Sequence, residues 1–307
     1  MQVDFHEFTG LGTTWKIYVG DSLPDGAKEE VYSSVESMVF SFDNDYSRFK
    51  DKSLIGRLNK SGKLKDPPDE LVKMLNYAID CARITDGYFN IAAGTRMEDI
   101  GYDISYSLRK KSFRPVQSLD KVLRVGTGTV ELDETASIDL GGLGKGWLID
   151  NIAKELKSRG IKSFVIDGGG DILVQGRSLG EGSIPLENPF KDGQIIGEIQ
   201  LSNGAVASSS PKRRTWPDIK DGGELHHLVN PKSENTITSV SAVYTYANSA
   251  TAADTASTCL FVSPSSLRDK IAKHFGVSYC IVNPDGRFYT AANYPGNIYT
   301  KSQIPQA

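Results

Sequence analysis

Three short stretches limit what this chain can become. FTGLGTTWKIYV, SFVIDGGGDILVQG and SYCIVNPDGRFYT each place a tight glycine turn between two apolar runs too short for helices. Each reads as strand, turn, strand, and a strand that returns so soon pairs antiparallel with its neighbour. EIQLSNGAVASS carries a further turn signal at Asn203-Gly204, and SVSAVYTYA is another strand. Helical periodicity appears elsewhere. Val31, Val35, Met38, Val39 and Phe42 share one face. Leu71, Leu75, Ala78 and Ala82 form a stripe after Pro67-Pro68-Asp69, with Gly87 just beyond. A third helix is predicted from about Lys145 to Ser158, with Gly160 as its C-terminal cap. Two more follow in ATAADTASTCLFV and SLRDKIAKHFG. Strands and helices mix without a regular βαβ alternation. The expected class is α+β, with largely antiparallel sheets and packed helices.

Bulk properties exclude some functions. A net charge of −3 over 307 residues gives no basic footprint for nucleic acid and no cationic face for a membrane. Lys212-Arg213-Arg214 reads as a solvated loop. Cys81, Cys259 and Cys280 are scattered in apolar runs, which suits buried thiols rather than disulfides or zinc ligands. MQVDFHEF lacks the apolar core of a signal peptide, and no later run would span a bilayer. The expected location is the cytoplasm if the chain is complete, and outside it if a leader was trimmed.

IDLGGLGKGW, Ile138 to Trp147, holds four glycines directly before a helical pattern. A P-loop fails on spacing: Asp139 stands where the first glycine belongs, and Gly146 replaces the magnesium-binding hydroxyl. A dinucleotide fingerprint fails because Trp147 occupies the third glycine position; DGGGDIL fails the same way at Leu173. Two readings stay open: a dedicated anion or metal loop, and a tight strand-to-helix connection. Candidate partners lie downstream. His226 and His227 are adjacent, so in an extended segment at most one faces a site. Asp254 and Thr258 stand four apart at a helix start, where they can share a hard cation or serve as capping residues.

Seven ordered segments resemble the ApbE family of FAD:protein FMN transferases. They are FTGLGTTWKIYV, YSRFKDKSLIGRLNKSG, TDGYFNIAAG, the glycine block with FVIDGGGDILVQG, VASSSPKRRTW, HHLVNP and ADTAST. The chain departs from the family pattern in places. Leu11 replaces a methionine, Phe49 takes the aromatic position, and Asn90 and Asn230 replace aspartates. Lys232-Ser233-Glu234 stands where R-T-G is usual, and Gly101-Tyr102-Asp103 echoes W-G-F-G only faintly.

The resemblance implies one ApbE-like, T-fold-like domain over 1–307, with FAD as substrate and Mg²⁺ as cofactor. It implies a metal shell of Gly142 (backbone carbonyl), Asp254 and Thr258. Asp139 and Lys145 map onto FAD-contacting positions, and Leu11, Phe49, Tyr88, Phe89, Asn90 and Leu228 onto the cofactor lining. The implied reaction is attack by a Ser or Thr hydroxyl of a partner protein on the FMN-side phosphorus, expelling AMP. His227 is the candidate for contacting that phosphate or taking the proton, and Asp254 for the essential charge. Two alternatives are an FAD pyrophosphatase using water and a flavin-storage protein without turnover. No S/T-G-A-[S/T] run of the kind flavinylated in acceptors occurs, so the chain reads as donor enzyme.

Overall fold

The computed structural model describes residues 5–24, 26–111, 113–176, 183–233 and 236–299. An eight-stranded sheet organises it. Its strands are β1 (His6–Gly10), β2 (Thr13–Val19), β3 (Phe164–Gly168), β4 (Ile172–Gln175), β5 (Gly204–Ser209), β6 (Ala242–Ala247), β7 (Ser278–Val282) and β8 (Phe288–Thr290). Spatial order follows chain order, and every pair is antiparallel. The helices are α1 (Ala27–Tyr46), α2 (Leu54–Ser61), α3 (Asp69–Ile84), α4 (Gly94–Asp99), α5 (Leu119–Val122), α6 (Gly144–Ser158), α7 (Ala250–Val262) and α8 (Arg268–Phe275). This is the expected α+β architecture.

The sheet is covered on both faces, which is why its strands read as continuous apolar runs. In β3, Phe164 and Ile166 enter the core on the helical side, and Val165 enters the other. The helical core takes Val35 and Val39 of α1, Leu71 and Leu75 of α3, Ile149 and Ile152 of α6 and Leu260 of α7. The opposite core takes Ile184, Leu186, Ile196 and Ile199 from a small sheet of Ser183–Glu187, Ile195–Gln200 and Gly296–Ile298. Each such side chain contributes roughly 1.5–3 kcal/mol by leaving water. All three cysteines are free and buried, as expected.

The Asn203-Gly204 signal does not close a hairpin. Ile195–Gln200 pairs inside the small sheet, while β5 pairs with β4 and β6, so the segment passes from one layer to the other. Asn203 Oδ1 instead accepts from the Gln175 side chain (2.8 Å) and the Gly176 amide (3.0 Å). The apolar residues of the two strands fill layers on either side of one core, and that outweighs local turn chemistry. At the β1–β2 hairpin the two-residue turn does form. Leu11 and Gly12 both have positive φ (52° and 69°), as a type I′ turn requires. A leucine in that conformation is strained by on the order of 1 kcal/mol, which marks the position for something other than stability.

Candidate active site

The glycine stretch runs from the end of an extended segment into the start of α6. Gly146 lies in the first turn of that helix, where a side chain has no room. A methyl group there would press on the Ala250 carbonyl and come within 2.8 Å of Asp254 Cβ. This close approach brings α6 against α7 and sets Asp254 beside the α6 N-terminus. Asp254 is buried, and its carboxylate accepts from the Gly146 amide at 2.8 Å. It does not cap its own helix. Ser249 does that, accepting from Ala252 N, while Asp150 accepts from the amides of Ala250 and Thr251. The capping alternative for Asp254 therefore fails for α7; the residue serves α6 from outside.

Thr258 lies one turn further along α7. Its hydroxyl is 3.3 Å from Ser209 Oγ at the end of β5, and Ser209 also meets Ser257 at 2.7 Å. A methyl group on Gly142 would come within 3.2 Å of Thr258 Cγ2 and 3.0 Å of the Phe89 ring, so the loop and helix meet here. A carboxylate, a hydroxyl and a backbone carbonyl are hard oxygen donors of the kind Mg²⁺ takes, with water or phosphate completing its shell. No group of three or more His, Cys, Asp or Glu side chains arranged for a metal occurs among the described residues.

Charge is concentrated around Lys145. Its ammonium pairs with Asp171, a residue 1% exposed at the base of the β3–β4 glycine turn. Asp171 also accepts from Ser208 N at 3.2 Å. Burial alone would lower the Lys145 pKa, but Asp171 and Asp254 outweigh it and hold it above its ordinary value. For Asp254, burial and then Asp171 push the carboxyl up to about 7, against the pull of Lys145 and the Gly146 amide. Two buried carboxylates thus share one lysine.

A second group of residues adjoins this one through Asp139, the first polar residue of the glycine stretch. Asp139 pairs with Arg48, whose Nη2 donates to the Tyr102 carbonyl at 2.6 Å. The Arg48 guanidinium lies 4.1 Å over the Phe49 ring and 5.1 Å over Tyr102. Phe49 stacks on Tyr106 at 4.9 Å, Tyr102 stacks on Trp216 at 5.7 Å, and the His227 ring lies 6.4 Å from Tyr102. Tyr88 sits under the Lys232 ammonium at 4.0 Å. Glu234 of the Lys232-Ser233-Glu234 departure lies outside the described residues.

The two histidines part as an extended segment requires. His226 is buried, with Nε2 at 3.0 Å from the Ile237 carbonyl oxygen and its ring edge-on to Phe261. His227 turns to the aromatic group, and its buried Nδ1 has no hydrogen-bond partner. Burial, then Arg214 and His226, depress its pKa to about 3, against a hydrogen bond to the Arg214 backbone and the Asp139 charge. It is therefore neutral at pH 7. The depressed value has a sign for stability. Below its ordinary pKa near 6.5 the unfolded chain takes a proton that the fold refuses, so stability present above that pH is lost as pH falls toward 3. His227→Gln is expected to lose less urea stability than the parent between pH 7 and pH 4. An equal loss in both proteins would mean that His227 is not the group responsible.

Some mapped positions hold the scaffold. Asn90 spends its side chain on the turn, accepting from Ala92 N and donating to the Gln117 carbonyl, both at 2.9 Å. Leu228 is packed in the helical core, and Leu11 sits at the β1–β2 turn against the same core. Sequence reading missed Arg48, Asp171 and Arg214. Arg48 was adjacent to the mapped Phe49. Asp171 closed the DGGGD run between two apolar stretches. Arg214 was read as part of a solvated loop; it is exposed, yet its charge acts on both Lys145 and His227.

The ApbE family model matches residues 11–281. The chain belongs to the ApbE family. Among relatives, a protein of Haemophilus influenzae named FAD:protein FMN transferase is 24% identical, covering 92% of this chain and 87% of its own length. One of Treponema pallidum with the same name is 26% identical, covering 92% and 85%. The fold agrees. The ApbE protein of Thermotoga maritima superposes with a TM-score of 0.82 at 23% identity over 95% of this chain and 97% of that one. The flavin transferase ApbE of Vibrio cholerae gives 0.77 at 19%, over 95% and 97%. Like those proteins, this ApbE-family chain combines helices with antiparallel sheets. No helix among its described residues is long and apolar enough to cross a membrane.

Proposed function

We propose that this protein is a single-domain FAD:protein FMN transferase. It moves the FMN part of FAD onto a Ser or Thr hydroxyl of an acceptor protein. One observation carries the reading: Lys145, the α6 N-terminus and the Asp254–Thr258 pair converge at one end of a site whose other end is lined by aromatic rings and His227. A planar ring joined to a diphosphate has that division of charge. Relatives over most of this chain's length bear the corresponding name.

Mg²⁺ held by Gly142, Asp254 and Thr258 would supply charge neutralisation at the diphosphate. The chain's own residues do the rest. Lys145 and Arg214 offset phosphate charge, and the helix N-terminus adds a favourable dipole. Phe49, Tyr88 and Phe89 serve the flavin ring. Neutral His227 contacts the FMN-side phosphate while the acceptor's hydroxyl oxygen bonds to its phosphorus and the hydroxyl proton passes to water. The bridging P–O bond breaks and AMP leaves. Holding nucleophile, phosphorus and leaving oxygen in line removes most of the entropic barrier.

Incubation with FAD, Mg²⁺ and a candidate acceptor tests this: an FMN-sized mass increase on the acceptor is expected. Free FMN and AMP with an unmodified acceptor would indicate a pyrophosphatase, and bound FAD without AMP a storage protein. A separate expectation concerns affinity. FMN lacks half of the diphosphate and the adenosine, so FAD should bind at least about tenfold tighter, a difference of about 1.4 kcal/mol. Equal affinities in fluorescence titration would remove the diphosphate anchor from the reading.

A further inference from the structure

Nine large hydrophobic residues are exposed among the described residues, and five of them, Ile104, Tyr106, Leu108, Phe113 and Ile219, fall on only two segments. Both segments leave the aromatic end of the site. The first follows Tyr102, and the second follows Trp216, which stacks on Tyr102 and donates from Nε1 to the Ile100 carbonyl at 3.0 Å. Lys110 ties them together by pairing with Asp218 (3.2 Å) and Asp221. We propose that this apolar rim is the docking surface for the acceptor protein; the proposal rests on the FMN-transfer reading above.

The first segment is built to keep its apolar side chains out. Asp103 accepts from the amides and hydroxyls of both Ser105 and Ser107 and from Lys111. Burial opposes its charge, but those partners outweigh it and hold its carboxyl well below the usual range. Around this knot, Tyr106 and Leu108 adopt left-handed backbone (φ 49° and 51°), a conformation that needs external support. Relaxed loops bury leucine and isoleucine; this one presents them in a fixed arrangement, which reduces the ordering cost of association. Clustered exposed apolar side chains on a soluble fold mark interaction surfaces. Tyr106 makes the rim continuous with the site, because its ring stacks on Phe49.

The chemistry of the reaction identifies the occupant. A transferase acting on a protein must seat that protein at the mouth of its own site, beside His227, and the rim is there. Charge narrows the partner further. Arg109 is exposed on the first segment without an ion-pair partner among the described residues. The matching surface is apolar, with a carboxylate to meet Arg109.

The variants are Ile104→Asp and Ile219→Asp, both at exposed positions outside the flavin and metal residues. Two probes are used: a recombinant acceptor domain carrying an S/T-G-A-[S/T] segment, and that segment as a short free peptide. Each variant is expected to raise the KM for the domain by about tenfold or more, as for central interface contacts. The kcat at saturating domain, the affinity for FAD and the KM for the peptide should stay within about twofold of the parent. A domain KM within twofold of the parent in both variants overturns the docking surface. So does an equal loss with domain and peptide, which would place the rim inside the active site. A parent protein that modifies neither probe overturns the functional reading itself, and the docking proposal with it.

Discussion

Asp254→Asn is expected to lower FMN transfer by at least about a hundredfold, the scale seen when a key electrostatic group at a phosphoryl or acyl transition state is lost. The change keeps shape and removes charge. Asp254 supplies the only anionic oxygen of the proposed shell, since Gly142 and Thr258 are neutral, and a hard dication prefers that oxygen over its own hydration. Asparagine's carbonyl can still accept from the Gly146 amide, so the α6–α7 junction should survive and the loss should fall on chemistry. Thr258→Val should cost less, because water replaces a neutral ligand more easily. FAD binding should persist in part through ring and adenosine contacts. The measurement is transfer rate against Mg²⁺ concentration. Parent-level transfer by Asp254→Asn at sub-millimolar Mg²⁺ would sink the metal assignment and leave Asp254 as a cross-helix cap alone.

Lys145→Met should damage the fold as well as the reaction. It removes the one cation between Asp171 and Asp254, and Asp171 is 1% exposed. Breaking a buried pair from one side costs about 3–5 kcal/mol, because the surviving charge is left uncompensated. Lys145 keeps 26% of its side chain exposed, so the lower end, about 3 kcal/mol, is the expectation at pH 8. The sign with pH is fixed. Asp254, already raised and deprived of the Lys145 charge in the variant, holds a proton that the unfolded chain releases, so stability falls as pH rises from the ordinary carboxylate range through its raised native value. Urea unfolding at pH 5 should therefore show a smaller deficit than at pH 8, and Lys145→Met with Asp171→Asn should recover part of it. A deficit independent of pH would mean that lost packing, not unpaired charge, is the cause.

These expectations rest on features of unequal legibility in the sequence. The strands and helices were readable because periodicity and turn chemistry are local: short apolar runs around glycine turns, a 3.6-residue stripe on α1 and α3, and a left-handed glycine beyond α6 each act within a few residues. The glycine stretch showed by spacing alone what it was not. Spacing leaves two readings open, a ligand loop and a tight connection. The structure shows the tight connection: the glycine that admits the α7 backbone is the one whose amide meets Asp254.

Partners between distant segments were not legible from spacing. Asp171 lies 26 residues beyond Lys145, and nothing local says that a β-turn carboxylate and a helix-start lysine will meet. Arg48 and Asp139 are separated by 91 residues, and Lys110 and Asp218 by 108. Asn203-Gly204 failed as a hairpin because two strands adjacent in sequence were drawn into different sheets by the layers their side chains fill. The sequence by itself determined the element types, the antiparallel class, the buried thiols and the family. Only the tertiary structure decided which carboxylate neutralises which cation, which histidine faces the site and which loops keep apolar residues in water. Charge pairing and burial depend on distance in space, and a sequence encodes that distance only through the whole fold.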